Sequence, residues 1–290
     1  MRKIIILIPV FNDWESLEKL INEINENIKE FKNIKFECLV VNDASTIKQP
    51  ILIKPSFIQS MQILNMKENR GHARCNAFGI RHVINNKDFD YLILMDGDGE
   101  DRPIELKRLI DKILEDPDKS VVAKRVKRSE GPFFRFLYFM HKLITYIFTG
   151  KKINFGNYSC LTKEDVRKLS TEASLWSSYS GSVKKNLESF NEIDSERGVR
   201  YFGPSKMSFL KLVSHSFSII AVFKSQVFFR SFTLILILTI LDYNLGTQLN
   251  FLSIIIILFN IIILIVSLRE KEEELSNSQE NLKSIKEITH

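Results

Sequence analysis

The stretch YLILMDGDGEDRPIEL, residues 91–106, decides how this chain is read. Tyr91–Met95 is a short apolar run of the kind that forms a strand buried on both faces. It stops at Asp96, Asp98, Glu100 and Asp101, and Pro103 then opens a helix expected to run to Leu114. Four carboxylates within six residues repel one another, so the loop asks for a cation or a cationic ligand. An Asp-x-Asp pair at a strand end suits Mg²⁺ or Mn²⁺, hard ions held by one or two carboxylates together with substrate phosphates.

The same rhythm extends outward from that loop. Ile4–Ile8, Phe36–Val41, Gln62–Leu64 and Ser120–Ala123 read as further strands. Trp14–Ile28, with apolar residues at 17, 20, 21, 24 and 28, and Ala73–Ile84 read as helices between them. Continuous apolar strands alternating with amphipathic helices predict an α/β domain built on a mostly parallel sheet. Ligands of such sheets sit beyond the carboxyl ends of the strands. IPVFND (8–13), VNDAST (41–46) and the acidic loop all fall there, so three polar loops should share one rim. Residues 124–205 are less regular and should cover it.

The chain has 290 residues, 44% hydrophobic, with a formal net charge of +6 and a pI near 9.0. That is core enough for one large domain with an appendage. The basic excess points to an anionic partner. Cys38, Cys75 and Cys160 are too scattered for a zinc site or a disulfide framework, and a reduced, cytosolic setting fits the polar part. MRKIIILIPV reads as a buried first strand rather than a secretion signal, its apolar run being short and interrupted by Pro9.

Beyond residue 205 the character changes. Residues 206–226 mix bases with large apolar side chains, as an interfacial helix would; a domain-closing core helix is the alternative. Residues 227–268 contain two apolar runs, Val227–Leu241 and Leu249–Leu268, separated only by DYNLGTQ, and predict a two-helix transmembrane hairpin. Lys206, Lys211, Lys224 and Arg230 precede it and Arg269 and Lys271 follow it, which places both ends in the cytoplasm. Residues 269–290 read as a charged, helix-prone, solvated tail.

Four ordered motifs, IPVFND, VNDAST, NRGHARCNAFGI (69–80) and MDGDGEDRPIEL (95–106), resemble those of family 2 glycosyltransferases with the GT-A fold. RYFGPSK (200–206) and the membrane segments are similar to the branch of dolichyl-phosphate mannose synthases and bacterial polyprenyl-phosphate glycosyltransferases. The resemblance implies a GT-A domain over residues 1–205. Pro9, Phe11 and Asp13 would then line the nucleotide pocket and Asp43 would hydrogen-bond the base. Asn69 and Gly71, with Arg74 as a neighbour, would shape the loop beside them. Asp96 and Asp98 would hold nucleotide and metal. Glu100 would join them where the family usually has Gln, with Asp101 as a further acid of the catalytic loop.

Lys124, Arg125, Arg135, Asn157, Arg200, Ser205 and Lys206 would bind the acceptor, Arg being suited to bidentate phosphate contacts. One departure stands out in NFGNYSCL (154–161), where Asn154 and Asn157 replace expected acids. An amide cannot take a proton. A phosphate acceptor, largely ionised near neutral pH, needs none taken; a sugar hydroxyl would need a base such as Glu100 or Asp101. His72 and His141 read as pocket or surface residues rather than metal ligands.

The expected activity is metal-dependent, inverting transfer of one hexose from a nucleotide-diphosphate sugar to polyprenyl phosphate at the cytoplasmic membrane face. Transfer to a hydroxyl of a lipid-linked or lipopolysaccharide glycan, and a weakly catalytic nucleotide-sugar scaffold, are the alternatives. Expected partners are the donor, the lipid-linked acceptor, membrane lipids and, as an open option, further copies of the chain; no nucleic-acid-binding motif occurs.

Overall fold

The structure is a computed structural model that describes residues 1–127, 132–204, 209–246 and 248–289. The strands are β1 (Arg2–Val10), β2 (Ile34–Asn42), β3 (Ile58–Met66), β4 (Tyr91–Leu94), β5 (Val121–Lys127), β6 (Phe155–Thr162), β7 (Asn191–Glu196) and β8 (Leu282–Ile288). They form one sheet in the order β7-β5-β6-β4-β1-β2-β3-β8. β1 pairs in parallel with β2 and β4, and β2 with β3. β6 runs antiparallel between β4 and β5, and β8 antiparallel along β3.

The apolar run of β1 has a simple cause. Ile4, Ile6 and Ile8 pack on one side of the sheet against Trp14, Leu17, Leu20 and Ile24 of α1 (Trp14–Ile28). Ile5 and Leu7 pack on the other against Phe78 and Val83 of α2 (His72–Asn86). With a period of two and helices on both faces, every position must be apolar. Gly79 lets α2 approach closely, since a Cβ there would lie 2.5 Å from Leu7 Cδ1.

Pro103–Glu105 is a 3₁₀ turn leading into α3 (Leu106–Glu115), so the single expected helix has a tighter first turn. The irregular middle resolves into α4 (Pro132–Thr149), α5 (Lys163–Ser170), α6 (Ala173–Ser177) and α7 (Tyr179–Asn186), interleaved with β5, β6 and β7.

α8 (Phe209–Ala221) lies within the expected juxtamembrane helix; Ser218–Ala221 are buried while Phe209, Leu210 and Lys211 are exposed. α9 (Lys224–Leu245) and α10 (Asn250–Ser267) form the hairpin, and both are long and apolar enough to cross a membrane. Gly246, in the left-handed region at φ +60°, ends α9, and the Asp242 carboxylate accepts the Leu249 N–H at 2.7 Å. α4 joins this bundle: the tilted Phe148 and Phe259 rings pack with centroids 4.5 Å apart, and Arg230 donates to the Ile147 carbonyl at 3.0 Å. Phe136, Phe139, Leu143, Tyr146 and Ile147 on α4 are exposed at helical spacing, so part of the expected rim cover lies beside the hairpin instead.

The C-terminal expectation is corrected. Residues 269–289 are not a solvated tail: α11 (Glu272–Ser276) and a 3₁₀ turn (Ser278–Asn281) lead into β8, which extends the sheet. Met61–Ile288 to Met66–Leu282 pair through backbone hydrogen bonds, which need no apolar periodicity from β8 itself.

Candidate active site

The three rim loops meet as the sequence implies. β1 ends in Phe11, Asn12 and Asp13, and Asn12 takes a left-handed turn at φ 52°, a conformation asparagine tolerates. Its Oδ1 accepts the Thr46 and Ile47 N–H groups at 2.8 and 2.9 Å, while its own N–H donates to Ser45 Oγ at 2.8 Å. These bonds lock the β1 loop to the β2 loop. Pro9 is half-buried and Phe11 exposed on the rim.

Asp43 follows β2 and is buried. Its two carboxylate oxygens accept the Arg70 and Gly71 N–H groups at 2.8 and 2.9 Å, and Asn69 Nδ2 donates to its carbonyl at 3.2 Å. Asp43 thus shapes the 69–71 loop. Arg74 points elsewhere: its guanidinium lies 5.4 Å from the Trp176 ring and 3.9 Å from Glu274, whose carboxylate accepts Trp176 Nε1–H at 2.8 Å.

The acidic loop is organised from within. Asp101, without a firm role in the sequence, is 4% exposed and its Oδ2 accepts the Asp96 N–H at 2.9 Å. Burial, reinforced by the negative charge of Asp96, pushes its carboxyl up to about 8, with Arg125 opposing at 4.0 Å. Biased toward its neutral form, Asp101 holds Asp96 in place through that bond. Asp98 Oδ1 accepts the Glu100 N–H at 3.1 Å. Burial, then Asp96 and Glu100, push Asp98 up to about 6.

Around Asp96, Asn157 Nδ2 donates to Oδ1 at 3.0 Å and His72 Nε2 lies 3.1 Å from the same oxygen. Asn157 is therefore a partner of Asp96, and the amide that cannot act as a base serves as a donor. Asn154 contributes its carbonyl to the Arg125 N–H at 3.0 Å. Tyr158 is buried and donates to the Arg102 carbonyl at 3.0 Å.

The 197–202 segment closes over the acidic loop. The Gly198 N–H donates to the Glu100 carbonyl at 2.8 Å and the Tyr201 N–H to the Asp98 carbonyl at 3.0 Å. Arg197 pairs with Glu100, and Arg200 bridges Asp13 and Asp98, the latter at 2.8 Å. Arg200, expected on the acceptor, thus sits among the carboxylates of the acidic loop and Asp13, and Glu100 carries an arginine partner. Lys124 faces Glu192 and Asp194 at 4.0 and 3.8 Å. Ser205 and Lys206 lie outside the described residues, as does the side chain of Arg135.

Arg197 was missed by sequence because the late motif begins at Arg200; its spacing three residues earlier was the available signal. Gly99 shows how tight the closure is. It has φ +87°, and a Cβ would fall 2.4 Å from the Tyr201 ring. Gly99→Ala is expected to lower the apparent unfolding midpoint and to speed proteolysis near residue 200, the strain and clash costing about 1–3 kcal/mol. An unchanged proteolytic pattern would contradict the packing described.

The donor set fits a divalent cation. Asp96, Asp98 and Glu100 offer hard oxygen ligands at one strand end, and the upward shift of Asp98 reflects first its burial and then the neighbouring negative charges. Among the described residues no three His, Cys, Asp or Glu side chains gather as a metal cage. Such a site suits an ion completed by substrate phosphates.

Comparison with solved structures agrees on the fold. Glucosyl-3-phosphoglycerate synthase from Mycobacterium tuberculosis, solved with Mn²⁺, UDP-glucose and phosphoglyceric acid, aligns over 78% of this chain and 80% of its own at TM-score 0.55 and 13% identity. A mannosyltransferase from Pyrobaculum calidifontis, solved with GDP-Man and Mn²⁺, aligns over 92% and 87% at TM-score 0.51 and 15% identity. In sequence, an undecaprenyl-phosphate 4-deoxy-4-formamido-L-arabinose transferase from Proteus mirabilis is 26% identical over 222 residues, 74% of this chain. The match spans 65% of that relative's length. The family model for glycosyl transferase family 2 matches residues 5–167, more than half the chain, from β1 through the acidic loop to β6. The chain, with its GT-A sheet and its Asp-x-Asp loop at the end of β4, belongs to glycosyltransferase family 2.

Proposed function

We propose that this protein moves one sugar, a hexose in our reading, from a nucleotide-diphosphate donor to a polyprenyl phosphate, with inversion, at the cytoplasmic face of a membrane. The observation that carries the reading is Asp96 and Asp98 at the end of β4, on one rim with the Asp43-held loop, in a chain whose C-terminal helices α9 and α10 are apolar enough to span a bilayer. The relative from Proteus mirabilis, named for transfer to undecaprenyl phosphate, supports the acceptor class. The Mn²⁺-bound fold neighbours support a divalent metal.

Asp96, Asp98 and Glu100 would hold that ion, which when bound supplies positive charge to the departing diphosphate. Pro9, Phe11, Asp13 and the 69–71 loop would receive the nucleotide. An acceptor phosphate oxygen forms the new bond to the anomeric carbon while the bond from that carbon to the diphosphate oxygen breaks on the opposite side, which inverts configuration. Asn157, engaged as a donor to Asp96, takes no proton, and an ionised phosphate needs none removed. Arg125 and Arg200 supply positive charge near the acidic loop. Basic residues on both flanks of the α9–α10 hairpin orient the rim toward the cytoplasm. The exposed apolar face of α4 and the start of α8 would rest in the interface.

The test is incubation of the protein in membranes with a panel of nucleotide sugars and polyprenyl phosphate, reading the mass of the lipid product. A lipid phosphate carrying one sugar, formed only with a divalent cation, is expected. Labelling of a glycan acceptor with no lipid-phosphate sugar from any donor would overturn the reading.

A further inference from the structure

The segment that follows the membrane hairpin does more than complete the sheet. The loop 67–71 connects β3 to α2, and the C-terminal segment packs on both of these elements and on the loop itself. β8 pairs along β3. The turn before it docks on α2, where Gln279 Oε1 meets His82 Nδ1 at 3.3 Å and Gln279 Nε2 donates to the Phe78 carbonyl at 3.4 Å. Arg81 donates to the Ser276 carbonyl at 3.2 Å.

Asn281 makes the direct contact with the loop. Its carbonyl accepts the Lys67 N–H at 2.7 Å, its Oδ1 accepts the Glu68 N–H at 3.2 Å, and its Nδ2 donates to the Glu68 carbonyl at 3.1 Å. The side chain thus pairs with both backbone groups of Glu68, as a strand neighbour would. One and two residues further on, Asn69 and Arg70 begin the stretch that Asp43 grips from the other side. The loop is held from β2 by a carboxylate and from the C-terminal segment by an amide. Backbone groups at a loop have few internal partners, so such bonds decide which conformation is populated.

We propose that Asn281 is a positioning residue for nucleotide binding, and that the C-terminal segment delivered by the hairpin forms the outer support of the 69–71 loop. The inference rests on the assignment of that loop to the nucleotide. It gives the membrane anchor a second task, because the turn that holds the loop enters the domain only after the hairpin has turned back.

The test compares full-length wild type, Asn281→Ala and Ser284→Ala in detergent. Ser284 Oγ accepts from Asn65 Nδ2 at 3.2 Å within the β3–β8 pair, so its loss loosens the same strand without touching the loop. Amide exchange is read at Arg70 and Gly71, and UDP and GDP are titrated with Mn²⁺ by calorimetry. Asn281→Ala is expected to speed exchange at both amides and to weaken nucleotide binding about three- to tenfold, two neutral hydrogen bonds being lost. Ser284→Ala should leave both readouts unchanged. If Asn281→Ala fails to fold, Asn281→Asp keeps the acceptor for the Glu68 N–H, loses the donor, and should show an intermediate weakening. Unchanged exchange at Arg70 and Gly71, or an equal effect of Ser284→Ala, overturns the positioning role by itself. Wild type that binds neither nucleotide overturns the nucleotide assignment, and the inference with it.

Discussion

Asp98→Asn is expected to lower sugar transfer about 10²- to 10³-fold while leaving the fold intact. The substitution keeps one oxygen for the Glu100 N–H, so the turn of the loop is retained, and places an NH₂ where Arg200 now meets the second carboxylate oxygen. It removes one negative charge from the proposed cation site, where a fixed electrostatic contact to the departing group has that order of effect. The effect on stability should depend on pH. The folded-state pKa of Asp98, pushed up to about 6 by burial and by Asp96 and Glu100, exceeds its usual 3.8. Its contribution is therefore fully present below about 3.8 and is lost as pH rises through about 6. The neutral amide loses the ion pair to Arg200 but escapes this pH-dependent loss, so in a chelating buffer the melting deficit of Asp98→Asn should be smaller at pH 8 than at pH 5. Initial rates with saturating donor and a thermal scan check both halves. A variant retaining more than a tenth of the activity would remove Asp98 from the mechanism.

Arg200→Ala should have the second largest effect, about a hundredfold on transfer. Arg200 spans two loops, joining Asp13 after β1 to Asp98 after β4, and its side chain is 12% exposed. Removing it leaves two partly buried carboxylates facing each other across the rim, where breaking such a pair costs about 3–5 kcal/mol. The same guanidinium is suited to an acceptor phosphate. Arg200→Lys should recover only part of the loss, because one ammonium does not reproduce the planar fork that reaches both carboxylates. Donor and acceptor KM and kcat, measured separately, read the effect. Wild-type kinetics in Arg200→Lys would show that only a positive charge is needed there.

Much of this architecture was legible before any coordinates. The strands β1 and β4 are apolar at every buried position, and β2 at all but Asn42 at its rim end, because each is covered on both faces, and α1 shows its helical spacing from Trp14 to Ile28 without error at either end. The convergence of three polar loops followed from parallel pairing, since parallel strands end on the same side. The two apolar spans were equally plain, because length and the lack of charge are local properties.

What sequence determined by itself, then, was the α/β core, the rim on which the site is built, the acidic loop and the apolar hairpin. The tertiary structure alone decided the partners. Arg200 meets Asp13 across 187 positions of chain, and Asn281 meets Glu68 across 213. Nothing in the local pattern of RGVRYF or SQENL encodes either contact. β8 carries the sequence LKSIKEI, whose charges suggest a solvated helix; it becomes a strand because β3 offers an unpaired edge of backbone donors and acceptors. Asp101 looked like a fourth repelling acid; burial beneath the loop biases it toward its neutral form, and its carboxyl supports the Asp96 N–H. Periodicity records which face of an element is buried, whereas hydrogen bonds and charge pairs depend on distances that exist only after the chain has closed on itself.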